Sequence, residues 1–444
     1  MHAHRAPQPR RNTPGRLRLF IAGILSALLG AGLALGVNSN VSNLNGGGQN
    51  AADGQYGSNP TPVPPTQAPP PEPEPEPEPE PADITIAAAG DILTHMPVLR
   101  SARVNGGYDL NALWHRLDPW VQGADLALCH LEVPIAPAGT APSGYPKFGA
   151  HSTLAEDVAK QGWNGCSTAS NHSVDRGFAG IETTLDALED VGLGAMGTAR
   201  TLEEARQVQI YELERAERTV QIAHLSATYG LNGLPKPEGK PWAVEVFDAE
   251  VPDVSELIEQ AKTARDDGAD LVVASIHCCI EYQTAPTAAQ RVLMQEIADS
   301  AAIDLVIGHH AHVPQPITML EGGPDGAGMW VAYGLGNYVS NQSAQCCVPE
   351  TSNGVLMFAT AHVPATGPVR VTGIEWTALT VDRLGGHQIY PLRAEAQGVG
   401  QLTAAQMQDR YERVRSAVDL DAAELLTPPQ TSGPRAEVIP RFKS

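Results

Sequence analysis

At 444 residues with 42% hydrophobic side chains, the chain is long enough to bury one large core or two smaller ones. Its formal net charge is −21; residues 1–81 hold five Arg against Asp53 and five Glu, which leaves −20 for the remainder. Such a surface repels nucleic acid, and it excludes a simple electrostatic grip on a polyanion unless bound cations or a local basic patch intervene.

Arg5, Arg10, Arg11, Arg16 and Arg18 precede an uncharged run from Leu19 to Val37. As a helix rising about 1.5 Å per residue, this run reaches about 28 Å, close to the roughly 30 Å of a bilayer core. It predicts a basic cytoplasmic N-terminus (1–18) and a transmembrane signal anchor (19–37), since basic flanks stay on the cytoplasmic side. The alternative is a cleavable signal peptide, because Ala34 and Gly36 form a small-x-small pattern. Either way the chain is exported. The anchor would make it a single-pass protein of the cell membrane with its C-terminal domain extracytoplasmic.

Residues 38–82 turn to Asn, Gly, Ser and Pro and end in the alternating Pro-Glu tract from Pro71 to Pro81. No core forms from that composition, so a disordered Pro/Glu-rich linker is expected. As polyproline II at about 3.1 Å per residue, the stretch from Pro60 to Pro81 spans up to roughly 68 Å, a stalk that holds the next domain off the lipid.

From Asp83 short apolar runs alternate with longer amphipathic ones, the pattern of an α/β fold. Strands are predicted at Ile84–Ala89, Asp125–Cys129, Asn164–Thr168, Leu271–Ile276 and Ile303–Ile307, with helices at Thr153–Gln161, Phe178–Val191, Val254–Asp267 and Ala288–Ser300. Further strands are expected at Met329–Tyr333, Gly354–His362 and Val369–Leu379, then a helix from about Thr403 to Val418. The main domain is placed at 83–345, completed by strands and a helix over 346–426, with a disordered tail at 427–444.

Each of the first five strands is followed by polar side chains: Asp91, then Glu132, then Asn171 and His172, then His277, then His309, His310 and His312. Carboxyl ends of strands are where open α/β sheets bind ligands. Two carboxylates, an amide oxygen and several imidazoles form a mixed oxygen and nitrogen set that suits Mn, Zn or Fe better than Ca.

Five segments, AAAGDILTHMPV, DLALCHLEVPI, STASNHSVDRGFAGIETTLDALEDVGLGAMG, SIHCCIEY and VIGHHAHVPQPI, followed by YGLGNYVSNQ, resemble the CapA capsule-biosynthesis (poly-γ-glutamate synthesis) family of the calcineurin-like metallophosphatase superfamily. The resemblance implies a four-layer αββα metallophosphatase-like sandwich with one or two divalent metals at the strand ends. It further implies Asp91, Glu132, Asn171, His277, His310 and His312 as metal ligands or their close neighbours. His172 is implied as the group that contacts phosphoryl oxygens or protonates a leaving group. Asp175 would orient His172 through its ring N–H or, alternatively, cap the following helix. Arg176 is either an anion contact or a solvated surface cation. The sequence departs from the family pattern where Asp91-Ile92-Leu93 replaces Asp-x-His, which removes one usual ligand. His130 stands where Asn is expected, as an added ligand or a plain substitution. Within His309-His310-Ala311-His312 the pair His310 and His312 is preferred, with His309 as the alternative.

The implied function is capsule or poly-γ-glutamate biosynthesis or export. Its partners would be that surface polymer and the membrane proteins of the capsule system. Two classes remain: a metal-dependent hydrolase or transferase, and a non-catalytic polymer-binding assembly or export factor. Gly192–Gly197 matches GxGxxG but follows a helix, Gly239-Lys240 is followed by Pro241, and no GxSxG occurs, so dinucleotide, P-loop and serine-hydrolase chemistry are excluded. The six cysteines, Cys129, Cys166, Cys278, Cys279, Cys346 and Cys347, are too few to build the fold, but an oxidising compartment permits bridges. One bridge between the two vicinal doublets is expected, with buried thiols as the alternative.

Overall fold

The fold is that of a computed structural model describing Gly57 and residues 79–248, 253–394, 396–418 and 421–441. The chain divides into two units, Met1–Glu74 and Pro75–Ser444; of the first only Gly57 is described, and the second holds the folded domain. The expected cytoplasmic terminus, the anchor and nearly all of the linker lie outside the described residues. Among the described residues no helix is long and apolar enough to cross a membrane.

Two mixed sheets carry the domain. The strands are β1 (Ala82–Ile92), β2 (Leu126–Leu131), β3 (Gly165–Ser167), β4 (Gly194–Met196), β5 (Gln209–Arg215), β6 (Arg218–Thr228), β7 (Leu271–Cys278), β8 (Leu305–His310), β9 (Ile317–Leu320) and β10 (Met329–Ala332). They continue with β11 (Asn337–Val339), β12 (Asn353–Val363), β13 (Arg370–Asp382), β14 (Gln388–Leu392), β15 (Ala423–Glu424) and β16 (Glu437–Ile439). One sheet runs β14-β13-β12-β1-β2-β3-β4, with β11 beside β1 and β15 beside β13; the other runs β9-β10-β8-β7-β6-β5-β16. Parallel pairing holds from β1 to β4 and across β6, β7, β8 and β10, so the carboxyl ends of those strands share one side of each sheet.

Alternation along the strands explains the layering, because successive side chains of a strand face opposite sides. Ile84, Ile86 and Ala88 of β1 pack with Ile222 of β6, Val273 of β7 and Ile307 of β8 in a core between the sheets. Ala87 and Ala89 instead meet α1 (Thr153–Gln161) and α2 (Gly177–Asp190) through Leu154, Val158, Ile181 and Leu185. On the far side Val272, Ala274 and Val306 pack against α3 (Ser255–Asp266) and α4 (Ala288–Asp299). Helix, sheet, sheet and helix therefore stack in four layers. The exception is α5 (Ala404–Val418), whose Met407, Tyr411 and Val414 join the core between the sheets.

Two expectations need correction. The tail is not disordered over 427–441: β16 pairs with β5, the Ser432 N–H donates to Asp125 Oδ1 at 2.8 Å, and the Arg441 guanidinium donates to the carbonyls of Ala195 (2.6 Å) and Glu204 (2.7 Å). Polar side chains hold this stretch where an apolar pattern would have announced it. The doublet-to-doublet disulfide is also absent. Cys129 pairs with Cys166, Cys278 with Cys279, and Cys346 with Cys347. Parallel β2 and β3 place Cys129 opposite Cys166 with Cα atoms 4.4 Å apart, within bridging range, and each doublet is closed on itself.

Candidate metal centre

Register sets the site. Asp91 at the end of β1 lies opposite His130 of β2 and Asn337 of β11; His130 lies opposite Ser167 of β3; and His277 of β7 lies opposite His309 of β8 and Thr228 of β6. Gly90 and Gly308 make this possible: a Cβ on Gly90 would meet the Gly336 carbonyl, and one on Gly308 the Tyr333 carbonyl. His310 and His312 adopt φ of 81° and 56°, a left-handed backbone that costs about 1–3 kcal/mol per residue and that surrounding structure must hold.

The six expected ligands lie together. Four overlapping triads have donor atoms within 4.8 Å of one another: Asp91, His130 and His277; Glu132, His277 and His310; Glu281, His310 and His312; and Asp91, Glu132 and His312. Asn171 joins through its Oδ1, 3.0 Å from His277 Nε2. His312 Nδ1 is 3.0 Å from Asp91 Oδ2 and its Nε2 is 3.5 Å from Glu132 Oε1, while His130 Nε2 is 2.9 Å from His277 Nδ1. Two donors bound at about 2.1 Å to one ion lie about 3.0 Å apart at a right angle and about 3.4 Å apart at the tetrahedral angle. The observed spacings fall near the edges of such a polyhedron.

Satisfaction of the donors decides whether the cluster fits a cation. Asp91, Glu132, His130 and His277 are fully buried. Yet both Glu132 oxygens, both His309 nitrogens, Asp91 Oδ2 and His310 Nδ1 lack a hydrogen-bond partner among the described residues. Buried polar atoms are nearly always partnered, so this concentration at one point fits a divalent ion. Burial, reinforced by the charges of Asp91 and Glu281, pushes the Glu132 carboxyl well above the usual range despite nearby His312. Burial also acts to raise Asp91, but the close approach of the His309 and His312 imidazoles outweighs it and holds that carboxyl well below its ordinary value. Burial lowers His312, yet Glu132 and Asp91 more than reverse this and push it up to about 10. Burial keeps His130 and His277 neutral, the form that ligates metal.

His172 stands beside the cluster. Its Nδ1–H donates to Asp175 Oδ2 at 2.7 Å, an oxygen that also accepts the Phe148 N–H at 2.7 Å. Asp175 therefore orients the ring. Asn232 links the two halves, accepting from Asn171 Nδ2 at 3.2 Å and lying 3.4 Å from His172 Nδ1. Arg176 donates to the carbonyls of Phe148 and Ala141 and to Ser143 Oγ.

The sequence offered His309 and His130 only as alternatives, and it did not mark Glu281 or Asn337 at all. His309 packs face to face on His130, centroids 4.0 Å apart, with Nδ1 3.4 Å from Asp91 Oδ1, so all three histidines of the segment face the cluster. Glu281 Oε1 lies 3.7 Å from His312 Nε2, and Asn337 Oδ1 accepts from His312 Nδ1 at 3.1 Å. Both sit in segments that resemble the family's motifs, which was the available signal.

Residues 85–342 match the family model described as bacterial capsule synthesis protein PGA_cap. The chain belongs to this family. Among its relatives, the capsule biosynthesis protein CapA of Bacillus anthracis is 24% identical over 264 residues, covering 58% of this chain and 60% of that protein. The PGA biosynthesis protein CapA of Bacillus subtilis is 30% identical over 180 residues, covering 39% and 42%. A probable polyglutamine synthesis accessory protein of Mycobacterium tuberculosis is 24% identical over 314 residues, covering 64% and 80%. This PGA_cap member thus spans under two thirds of the length of the two Bacillus relatives. A calcineurin-like phosphoesterase of Bacillus subtilis superposes with a TM-score of 0.40 at 12% identity, covering 75% of this chain and 97% of that one. A likeness of that size carries no argument for the fold, which rests on the layers described above.

Proposed function

We propose that this chain is a membrane-anchored, extracytoplasmic, metal-dependent hydrolase or transferase of phosphatase type, acting in the synthesis or export of a capsule polymer such as poly-γ-glutamate. The observation that carries the reading is the fully buried Glu132 carboxyl, with neither oxygen hydrogen-bonded among the described residues, inside a ring of imidazoles and a second carboxylate. Asp91, Glu132, Asn171, His277, His310 and His312 would hold the ion, Mn, Zn or Fe by the chemistry of the set. When bound, such an ion lowers the pKa of a water and neutralises developing charge.

The chain's own residues supply the rest. Asp175 accepts the His172 Nδ1–H and so orients the ring; in the imidazolium form its Nε2–H gives a proton to a departing oxygen and leaves the neutral ring with its proton on Nδ1. The Asn337 amide oxygen takes the Nδ1–H of His312, which fixes its Nε2 toward Glu132 and Glu281. A second reading, a non-catalytic polymer-binding assembly or export factor, draws on the mycobacterial relative, which is named a probable accessory protein of polyglutamine synthesis.

The test is the purified full-length chain, with metal content measured by mass spectrometry and turnover followed on a chromogenic phosphodiester and on poly-γ-glutamate. Retained metal with turnover that His172→Ala abolishes is the expected result. Retained metal without turnover on either substrate leaves the assembly-factor reading, and absence of metal overturns both the site and the enzyme. For the anchor, the expected finding is the intact N-terminal peptide in the membrane fraction; a mature chain starting near Val37 would refute it.

A further inference from the structure

A chain with a net charge of −21 needs a local cationic site to hold a polyanion. A cavity of about 260 Å³ between the end of β13, the 343–352 segment and α5 has that character: Arg383, Arg410 and Arg413 line it against one carboxylate, Asp409. A larger cavity of about 1170 Å³ beside α3 has the opposite balance, with Glu203, Glu245, Glu256, Glu259 and Asp267 among its walls. Arg410 Nη1 donates to Thr380 Oγ1 (2.6 Å) and to the Val381 carbonyl (3.0 Å), which anchors its guanidinium on the sheet without neutralising it. Arg383 Nη2 donates to Gln345 Oε1 at 3.0 Å. Neither Arg383 nor Arg410 is in an ion pair among the described residues. Arg413 pairs with Asp409 at 2.5 Å, and its buried Nε has no partner among the described residues. Arg guanidinium groups recognise carboxylate and phosphate oxygens through paired N–H donors.

Position links this cavity to the metal cluster. β12 is antiparallel to β1 and β13 antiparallel to β12, so β13 runs in the direction of β1 and its end, Thr380 to Asp382, opens on the same sheet edge as Asp91. Two strand spacings separate β13 from β1, roughly 10 Å. The segment from Asn337 spans the gap: Asn337 bonds His312 and Gln342, and Ser343 and Gln345 line the arginine cavity.

We infer that Arg383, Arg410 and Arg413 form an oxyanion-binding subsite that holds a carboxylate or phosphate of a polyanionic chain whose reacting bond lies at the metal cluster. The part about the reacting bond rests on the proposed function; anion binding itself does not.

The experiment titrates the metal-loaded full-length chain with poly-γ-glutamate in one arm and with inorganic phosphate in the other, by calorimetry at low salt. Both are repeated for Arg383→Gln, for Arg383→Gln/Arg413→Gln, and for a control, Arg370→Gln, on an exposed strand end. The double variant should lose tenfold or more in affinity, the single variant less, and the control nothing. Loss in the polymer arm assigns a polymer carboxylate, and loss in the phosphate arm alone assigns a phosphate-bearing ligand; both support the subsite. Absence of binding in both arms, or binding indifferent to Arg383, overturns it. The single variant keeps the test decisive if the double one misfolds, because among the described residues the Arg383 side chain hydrogen-bonds only to Gln345. Metal content measured on the same samples separates the two ideas. A metal-loaded chain without arginine-dependent binding sinks the subsite alone, whereas arginine-dependent binding without metal sinks the functional reading alone.

Discussion

Glu132→Gln separates a metal ligand from an ordinary buried acid, because the two roles predict opposite signs. The Glu132 carboxyl is fully buried without a hydrogen-bond partner among the described residues, and burial already favours its neutral form. An amide of the same shape therefore leaves the metal-free protein as stable as before or more so. With metal the order reverses. A ligand at one hundred times its Kd stabilises the folded state by about 2.7 kcal/mol. If loss of one anionic ligand weakens binding about a hundredfold, the same metal concentration stabilises the variant by only about 0.4 kcal/mol. Denaturant unfolding of the full-length chain with Mn or Zn and with chelator, for wild type and Glu132→Gln, reads both quantities. The expected pattern is a metal-dependent gain of about 2–3 kcal/mol in wild type that nearly vanishes in the variant, at unchanged chelator stability. Equal metal-dependent gains in the two proteins would refute the reasoning, and so would a variant destabilised in chelator.

Three further outcomes are expected. His172→Ala should lower phosphodiester turnover by about 10²–10⁴-fold at unchanged metal content, and Asp175→Asn should lower it less, since Asp175 acts through the imidazole it orients; steady-state kinetics with metal analysis checks both. Cys129→Ala/Cys166→Ala should reduce stability by up to about 4 kcal/mol, the chain-entropy value for the loop closed by residues 37 apart, measured by denaturant unfolding without reductant. Glu245, half-buried and facing the charge of Glu256, has its pKa pushed up to about 7 from an ordinary 4.5, chiefly by its loss of water. The folded state thus prefers the protonated acid, and its contribution is fully present below about pH 4.5 and lost as pH rises through 7. Glu245→Gln should flatten the fall in stability between pH 5 and pH 8, a difference of at most about 3 kcal/mol; parallel slopes for the two proteins would count against this.

What could be read in advance depended on where the information sits in the chain. Asp91, Glu132, His277 and His310 each end or follow an aliphatic run, so their strand-end placement is local information, and parallel pairing does the rest by aligning those ends. Glu281 was missed because it lies past the strand end, in a loop that no periodic pattern marks. The β5–β6 hairpin was missed although its alternation was present: Tyr211, Leu213 and Arg215 face inward while Glu212 and Glu214 face out. Its turn places Ala216 and Glu217 at φ of 51° and 57°, where the usual signal is Asn-Gly, so nothing in the residues marked the reversal.

The C-terminal tail shows the same limit in its strongest form. Asp125 stands just before β2 and is fully buried, a placement that demands partners for its carboxylate. Those partners are the N–H of Thr85 at 2.8 Å, the Arg215 guanidinium at 2.6 Å and the N–H of Ser432 at 2.8 Å, which stand 40, 90 and 307 residues away in the chain. Removing one partner of a buried pair leaves an uncompensated charge, at a cost of about 3–5 kcal/mol. The tail is thus fastened by an electrostatic demand created three hundred residues earlier, and no window of residues around Ser432 contains it. The metal cluster obeys the same rule with the terms exchanged. Its buried carboxylates are announced locally at each strand end, but the described residues supply too few partners for them, and that shortfall argues for a cation.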